Sequence, residues 1–244
     1  MSFYEREDKI LDILFERQTV GNNELAKMLY ISAPTLRRDL EKLEGKGLII
    51  RSHGACSLNR QAADEKISIR YREQEQNAEK VKIAKKAVEF IKDGDVIMLD
   101  ASTSAQAIVP LLGGFRDLIV ITSGAKTSYL LGKMAIKNIS TGGQMITKSL
   151  SYTGPEALHT IGRYYADVVF FSCRGLANDG RLTDTSIEEN EVRRAMLLHA
   201  RKKVFLCDSK KIGRSCFNTL AHISELDQVV CEQPLPEQLR KQIR

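Results

Sequence analysis

Several features that would place a protein in a membrane or outside the cell are missing from this sequence. No apolar run approaches the ~18–20 residues that a helix needs to span a bilayer. The first ten residues, MSFYEREDKI, are charged from the start and lack the apolar core of a signal peptide. We therefore expect a cytoplasmic protein.

Cysteine is also scarce, and its spacing argues against a disulfide framework. The five cysteines include no C-x-x-C pair, and their number is odd. We expect most of these thiols to be small buried hydrophobic side chains, and we expect no structural zinc, other metal or cofactor.

The excess of positive charge is modest and does not by itself identify a partner. The 244 residues carry a formal net charge of +6, but residues 1–57 contain nine lysines and arginines against nine aspartates and glutamates. The case for a polyanionic partner therefore depends on where the charges lie.

Three short amphipathic helices are predicted near the start of the chain. Apolar residues recur at helical spacing over 5–17 and again over 24–29. Ser32 is a good N-cap, and Pro34 falls in the first turn of a third helix over 33–44, where its missing N–H does no harm.

A strand and a turn follow the third helix. Residues 48–52 have the pattern of a strand, and residues 51–54 (RSHG) begin a hairpin tip. Three helices followed by a small ribbon predict a winged helix-turn-helix domain, with residues 20–39 as the helix-turn-helix.

The predicted third helix carries polar side chains on the face opposite its leucine stripe, Leu36, Leu40 and Leu43. Such a helix can enter the major groove of DNA, where an arginine that reaches guanine contributes ~1–3 kcal/mol of discrimination. The alternative is that the adjacent arginines are merely a solvated surface, but the helix order and the wing favour DNA. The predicted DNA-binding residues are Ser32, Thr35, Arg37, Arg38, Lys42, Arg51 and His53.

Residues 32–54, SAPTLRRDLEKLEGKGLIIRSHG, match a specific pattern nearly throughout. They resemble the signature of the DeoR family of bacterial transcriptional regulators, approximately S-x-x-T-I-R-R-D-L-x-x-L-E-x-x-G-x-[IVL]-x-R-x-H-G-G. The family's second glycine after the histidine is Ala55 here. The resemblance implies a sequence-specific DNA-binding regulator of transcription.

From residue 77 onward, helical segments alternate with short apolar strands. Val81, Ala84, Val88 and Ile91 predict the buried face of the first of these helices, and Lys82, Lys85 and Lys86 are expected in solvent. The predicted strands cover 96–99, 118–121, a segment near Ile139, 168–171, 204–206 and 228–230. The pattern predicts an α/β fold with a mainly parallel sheet.

These patterns divide the chain into four parts. We expect a winged helix domain over 1–57, a polar linker over 58–76, an effector-sensing and oligomerisation domain over 77–235, and a C-terminal tail over 236–244.

Ligands of parallel α/β sheets bind at the carboxyl ends of the strands, and hydroxyl, glycine and cationic residues occur there in this sequence. Hydroxyls and backbone N–H groups at a helix start suit a phosphate, and cations pair with its charge. Each such cluster alone is more often an ordinary cap, but several together favour a real pocket. The predicted effector-binding residues are Asp100, Ser102, Thr103, Ser104, Thr122, Ser123, Gly142, Gly143, Lys148, Arg174, Asp208, Lys210 and Lys211.

The second half of the chain is also similar to the effector domain of the DeoR family. Residues 94–104, 149–155, 189–196 and 208–213 match its G-D-x-[IV]-x-L-D-x-[GS]-[ST]-[ST], S-L-S-x-x-G-P, E-x-x-x-[KR]-R-A-M and D-S-x-K-x-G elements. That domain is itself similar to ribose 5-phosphate isomerase. The resemblance implies a homodimer or homotetramer that responds to a phosphorylated sugar or related metabolite, most commonly as a repressor of a carbohydrate-use operon.

Two departures from the family pattern affect the expected ligand. The asparagine of the family's T-N-S element is replaced by Ser123 or Gly124, according to alignment. The family's G-A-D-G is SCRG at 172–175, so a cation, Arg174, stands where an acid is usual. This change would reject the common ligands or admit one with more negative charge.

Two other functions are compatible with parts of the sequence. A sugar-phosphate isomerase needs a carboxylate base, and several are available, but the acidic cluster expected around 172–175 is absent and a fused winged helix has no role in that chemistry. We therefore expect no catalytic residues. A DNA-binding protein whose second domain only oligomerises stays open.

Overall fold

The chain divides into two compact units, with the division after Arg72. A computed structural model describes residues 3–59 and 77–243. The predicted linker therefore lies outside the described residues, apart from its first two positions, and the domain boundaries given above stay predictions.

The described part of the first unit contains three helices and a small antiparallel sheet. The helices are α1 (Phe3–Arg17), α2 (Asn22–Leu29) and α3 (Ala33–Gly45), and the strands are β1 (Thr19–Gly21), β2 (Ile49–Ser52) and β3 (Ala55–Leu58). The strand order is β1–β3–β2, so the hairpin of β2 and β3 pairs with the segment between α1 and α2. This is the predicted winged helix arrangement.

Strand β1 was not predicted, because three residues carry too little pattern to identify a strand. It forms through pairing with the wing, where Gly21 lies opposite Ala55. As a result α2 begins at Asn22, two residues before the predicted start.

The leucine stripe of α3 is confirmed. Leu36, Leu40 and Leu43 are at most 2% exposed and pack with Ile10 and Leu14 of α1. Full burial of each such side chain stabilises the fold by roughly 1.5–3 kcal/mol. Helix α3 is therefore fixed by its inner face, and its outer face is left for another role.

The second unit is built around a six-stranded parallel sheet, as predicted. Its order is β14–β12–β9–β4–β5–β6. The strands are β4 (Val96–Leu99), β5 (Ile119–Thr122), β6 (Asn138–Ser140), β9 (Ala166–Phe171), β12 (Ala200–Cys207) and β14 (Gln228–Cys231). Because all of these pairings are parallel, the carboxyl ends of the six strands lie along one edge.

Two smaller sheets accompany the parallel sheet. Strands β10 (Gly175–Leu176), β11 (Arg181–Asp184) and β13 (Asn218–His222) form one, and strands β7 (Gln144–Ile146) and β8 (Ser151–Thr153) form the other. Both are antiparallel.

Helices cover both faces of the parallel sheet, as buried apolar strands require. Met98, Phe171 and Phe205 face one apolar cluster, whereas Ile97, Leu99, Phe170 and Leu206 face the other. The helices are α4 (Asn77–Ala87), α5 (Thr103–Gln106), α6 (Ala125–Lys133), α7 (Pro155–Gly162), α8 (Ile187–Leu198) and α9 (Glu237–Arg240).

The predicted buried face of α4 was partly wrong. Val81 is 41% exposed, whereas Ile83, Ala84 and Ala87 are fully buried. The α-helix ends at Ala87 and continues as a 3₁₀ turn, so the stripe does not keep its α-helical spacing as far as Ile91.

The end of the chain packs on the domain core. Leu239 of α9, within the segment predicted as a tail, is 2% exposed, and Ile243 packs against the same apolar cluster. All five cysteines are free thiols, and four of them are buried. Among the described residues no helix is long and apolar enough to cross a membrane, and no group of three potential ligands could hold a metal ion.

Candidate nucleic-acid interface and ligand site

The start of α3 is fixed by the cap that the sequence predicts. The Ser32 hydroxyl oxygen accepts the Thr35 backbone N–H at 3.4 Å, and the two side-chain hydroxyls lie 2.9 Å apart. Pro34 stands in the first turn. Thr35 is therefore held close to the cap while it stays half-buried.

A buried ion pair, which the sequence pattern did not indicate, joins α3 to α1. Asp39 is 2% exposed, and its carboxylate accepts from Arg6 Nε at 2.6 Å and from Arg6 Nη2 at 3.1 Å. The hydrogen bond to Asp39 raises the pKa of Arg6 despite the opposing effect of desolvation. This two-point contact fixes the rotation of α3 about its axis.

Two of the predicted DNA-binding arginines are paired with acids of α3. Arg37 Nε lies 3.2 Å from Glu41, and Arg51 Nη1 lies 3.4 Å from Glu44 and 4.0 Å from Glu41. Arg51 thereby ties the wing to α3. DNA phosphates would have to compete with these carboxylates.

The other outward-facing residues of the predicted interface, Arg38, Lys42 and His53, are exposed. Arg38 is exposed and makes no ion pair with any described residue. Lys42 is exposed on the same helix, and His53 is exposed at the hairpin tip beside Gly54, whose φ of +75° suits a tight turn. In this arrangement α3 can contact a groove of DNA, and the wing can contact the DNA backbone beside that groove.

In the second unit, Asp100 stands at the centre of a network at the carboxyl edge of the sheet. It is 1% exposed. Its Oδ1 accepts from the Ser102 N–H at 3.1 Å and from the Ser102 hydroxyl at 2.5 Å. Its Oδ2 accepts from the Ser172 N–H at 3.2 Å and from Arg193 Nε at 3.0 Å. Four donors thus join the ends of β4 and β9 to α8.

Arg193 of α8 is the cation that balances this network. Besides Asp100, its guanidinium contacts Asp184 Oδ2 at 3.0 Å and Glu189 Oε2 at 3.5 Å, and it is 5% exposed. Burial opposes the charged form, but the three carboxylates more than offset it and raise the pKa of Arg193. A further bond from Ser151 to Glu189 Oε1, 2.7 Å long, brings β8 to the same place.

Lys211 forms the second cationic centre. Its Nζ donates to the Ser172 hydroxyl at 2.7 Å and lies 3.2 Å from Asp208 Oδ2. Burial is the largest single effect and disfavours its charge, but the Asp208 carboxylate together with Cys207 and Cys173 outweighs it, and the pKa of Lys211 is raised. The side chain is 18% exposed, so the ammonium is held at the edge of the network rather than sealed inside.

The predicted hydroxyl cluster after β4 is only partly available to a ligand. A single helical turn, α5, follows β4, and its cap is Ser102. Ser102 is already bonded to Asp100 and to the Ala105 N–H. The hydroxyls of Thr103 and Ser104 make no hydrogen bond within the described residues.

Four other predicted positions have structural roles. The Thr122 hydroxyl accepts the Gly124 N–H at 3.0 Å, and the Ser123 carbonyl accepts the Tyr152 N–H at 2.7 Å. Gly142 and Gly143 have φ of +63° and +105°, and a Cβ on Gly143 would lie 2.5 Å from the Thr153 carbonyl oxygen. The close approach at Gly143 is therefore to β8 and not to a ligand.

The remaining predicted cations lie at different distances from the network. Arg174 reaches it, with Nε 3.6 Å from Asp184 Oδ1. Lys210 is exposed beside Lys211. Lys148 is exposed between β7 and β8 and makes no hydrogen bond or ion pair with the network in the described structure.

Sequence reasoning missed Ser172, Asp184, Glu189 and Arg193 as members of this site. The available signal was the match of residues 189–196 to the family's E-x-x-x-[KR]-R-A-M element, in which Glu189 and Arg193 have i, i+4 spacing. The arrangement offers partly exposed cations for an acidic group.

Two family profiles together match nearly the whole chain. Residues 6–62 match the DeoR-like helix-turn-helix domain, and residues 75–233 match the DeoR C-terminal sensor domain.

Curated relatives match along almost their full length. An HTH-type transcriptional regulator of Bacillus subtilis, YulB, is 32% identical over 95% of this chain and 89% of its own. The lactose phosphotransferase system repressor of Staphylococcus epidermidis is 30% identical over 95% of this chain and 93% of its own. The L-fucose operon activator of Escherichia coli is 29% identical over 93% of this chain and 94% of its own.

Solved structures share part of the fold. The chain matches eIF2B delta from Chaetomium thermophilum with a TM-score of 0.50 and 17% identity, over 66% of this chain and 57% of that one. It matches ribose 5-phosphate isomerase A from Methanocaldococcus jannaschii with a TM-score of 0.42 and 19% identity, over 55% and 53%. The profiles and the full-length relatives show that this chain belongs to the DeoR family of transcriptional regulators.

Proposed function

We propose that the protein represses a carbohydrate-use operon, and that a phosphorylated sugar or related metabolite bound in the second unit controls it. The observation that carries the DNA-binding part is the outward face of α3, where Arg38 is exposed without an ion-pair partner among the described residues. The full-length relatives include a lactose phosphotransferase system repressor and an L-fucose operon activator, which support control of sugar use.

In the proposed complex, α3 lies in the major groove and the wing contacts the backbone. Thr35, Arg38 and Lys42 face the base edges, and Arg51 and His53 meet phosphates or the minor groove. A homodimer or homotetramer, assembled through the second unit in the cytoplasm, presents two such helices to half-sites about one helical turn, ~34–36 Å, or a multiple of it apart.

The ligand is proposed to bind at the network around Asp100, Arg193 and Lys211. The network joins the ends of β4, β9 and β12 to α8, so a ligand there can bias how these segments sit. Control of operator affinity requires that the ligand bind one conformation more tightly than the other.

We propose further that this site is not catalytic. Aldose–ketose isomerisation needs a carboxylate that is free to take a proton from carbon. Asp100 accepts four hydrogen bonds, and Asp184 and Glu189 share the charge of Arg193. Incubation with ribose 5-phosphate should therefore yield no ketose above background.

The interface is tested by one substitution and a matched control. The operator is first selected with the full protein from a library of genomic fragments, and affinity is then measured by fluorescence anisotropy at fixed salt. Arg38→Ala should lose roughly 5- to 150-fold in operator affinity, which corresponds to the loss of one base contact, and should change little on scrambled duplex. Lys9→Ala, an exposed cation of α1, should bind as the original protein does. Undiminished operator binding by Arg38→Ala would remove α3 from the interface.

The sensor is tested by thermal shift against a panel of sugar phosphates at millimolar concentration. At least one should raise the melting temperature and change operator affinity. Stabilisation by none of them would favour a second unit that serves only for assembly.

A further inference from the structure

Arg174 is placed at the ligand site without a strong partner of its own. It follows β9 at the carboxyl edge of the sheet, and its side chain is 26% exposed. Its Nε lies 3.6 Å from Asp184 Oδ1, which is an ion-pair distance but not a hydrogen bond.

Asp184 is already satisfied by better donors. Its Oδ1 accepts the Thr185 N–H at 2.6 Å, and its Oδ2 accepts Arg193 Nη1 at 3.0 Å. A guanidinium that served mainly to neutralise Asp184 would form a two-point contact at about 2.7–2.9 Å, as Arg6 and Asp39 nearly do. Arg174 makes no hydrogen bond within the described residues, so its five N–H donors are available.

A second cation lies at the same edge. Lys211 donates to the hydroxyl of Ser172, two residues before Arg174, and is 18% exposed. Lys211 contacts Ser172 and Arg174 contacts Asp184, and both of these residues are bonded to the pair of Asp100 and Arg193, so the two cations border one network. Between them lie Asp100 and Arg193, which are buried and bonded to each other.

We propose that the ligand carries two acidic groups, and that Arg174 binds the second of them. The class is a phosphorylated sugar with a further phosphate or a carboxylate away from the first phosphate. Lys211 and the hydroxyl loop after β4 face the first group, and the guanidinium of Arg174 binds the second by paired N–H donors. This inference rests on the proposed sensing function and specifies its ligand.

The test uses matched ligand pairs that differ by one acidic group. The pairs are glucose 6-phosphate with 6-phosphogluconate, fructose 6-phosphate with fructose 1,6-bisphosphate, and ribose 5-phosphate with ribose 1,5-bisphosphate. Affinities are measured by isothermal titration calorimetry with the full protein. In at least one pair the member with two acidic groups should bind about tenfold or more tightly than its partner. The carboxylate and phosphate pairs distinguish the two forms of the second group.

Substitution assigns the preference to Arg174. In Arg174→Gln the preference should fall below about threefold, and affinity for the member with one acidic group should stay within about twofold of the original. Arg174→Lys should keep part of the preference because it keeps the charge. The control is Arg116→Gln, which removes an exposed arginine paired with Asp93 at the opposite edge of the sheet and should change nothing.

The possible results separate this inference from the proposed function. Equal affinity within every pair, or a preference that survives in Arg174→Gln, overturns the second acidic subsite and leaves the sensor intact. Binding of none of the six compounds counts against both. A lower melting temperature for Arg174→Gln with unchanged ligand preference would show that Arg174 stabilises the fold through Asp184 and does not bind the ligand.

Discussion

Replacing Arg193 by methionine tests whether one buried guanidinium holds the network around Asp100 together. The change keeps the length and apolar stem of the side chain and removes the charge. It leaves the carboxylates at 3.0, 3.0 and 3.5 Å without their shared cation. Breaking a buried pair in this way costs about 3–5 kcal/mol, because uncompensated charge stays behind. In a domain of this size, that loss corresponds to a fall in melting temperature of roughly 6–20 °C.

The neighbouring arginine provides the control. Arg194 of the same helix is half-buried, and it donates to neutral groups, including the Leu220 carbonyl at 3.2 Å and the Asn218 amide oxygen at 3.3 Å. Arg194→Met should cost about 1 kcal/mol. Both variants are compared with the original by urea unfolding, followed by far-ultraviolet circular dichroism. If Arg193→Met loses no more stability than Arg194→Met, the carboxylates do not depend on Arg193, and our account of the network is wrong.

Three smaller predictions concern other parts of the molecule. Tyr30 has φ of +54°, a strained backbone conformation for a residue other than glycine, and its side chain is 95% exposed. Tyr30→Gly should therefore raise the free energy of unfolding by about 0.5–1 kcal/mol in urea titrations. A decrease would contradict the presence of this strain. Glu41→Gln releases Arg37 and removes the longer of the two ion pairs of Arg51, so affinity for duplex DNA should rise about threefold to tenfold with a steeper salt dependence, and an unchanged salt slope would show that Arg37 meets no phosphate. Burial, aided by Asp184, raises the pKa of Cys173 from 9.0 to about 12. The folded state therefore keeps a proton that the unfolded chain loses above pH 9, and this should lower the free energy of unfolding by about 1.4 kcal/mol between pH 8 and pH 10. Cys173→Ala should lose correspondingly less stability over the same pH range. Equal losses in the two proteins would refute the pKa shift.

Local patterns were sufficient to predict α3 and the strands of the parallel sheet. The cap at Ser32 and the leucine stripe depend on neighbours within one helix, so their sequence signals are direct. Strand β4 was predicted with its observed bounds because a buried parallel strand is apolar throughout. Periodicity alone failed at Val81, which is exposed within α4, and the predicted stripe also crosses a change of helix type at Val88.

The ligand site was less predictable, because its contacts connect residues that are distant along the chain. Asp100 and Arg193 are 93 positions apart, and Ser172 and Lys211 are 39 apart. Polar residues at strand ends could be recognised from composition, but which of them are bonded to each other is decided by the register of the sheet. The sequence therefore indicated Asp100 and Lys211 as candidates, but it did not indicate that Arg193 pairs with Asp100.

The long separations within this network have a consequence for the newly made protein. The ribosome completes α3 and the wing within the first 58 residues, and their apolar core uses residues of that unit alone. The network around Asp100 is completed much later, because Arg193 follows Asp100 by 93 residues and Lys211, which bonds to Ser172, comes later still. A chain that stops between residues 58 and 211 thus contains the three helices and the wing of the first unit but lacks part of the candidate ligand site. The proposed response to a metabolite therefore becomes possible only after the winged helix unit is complete.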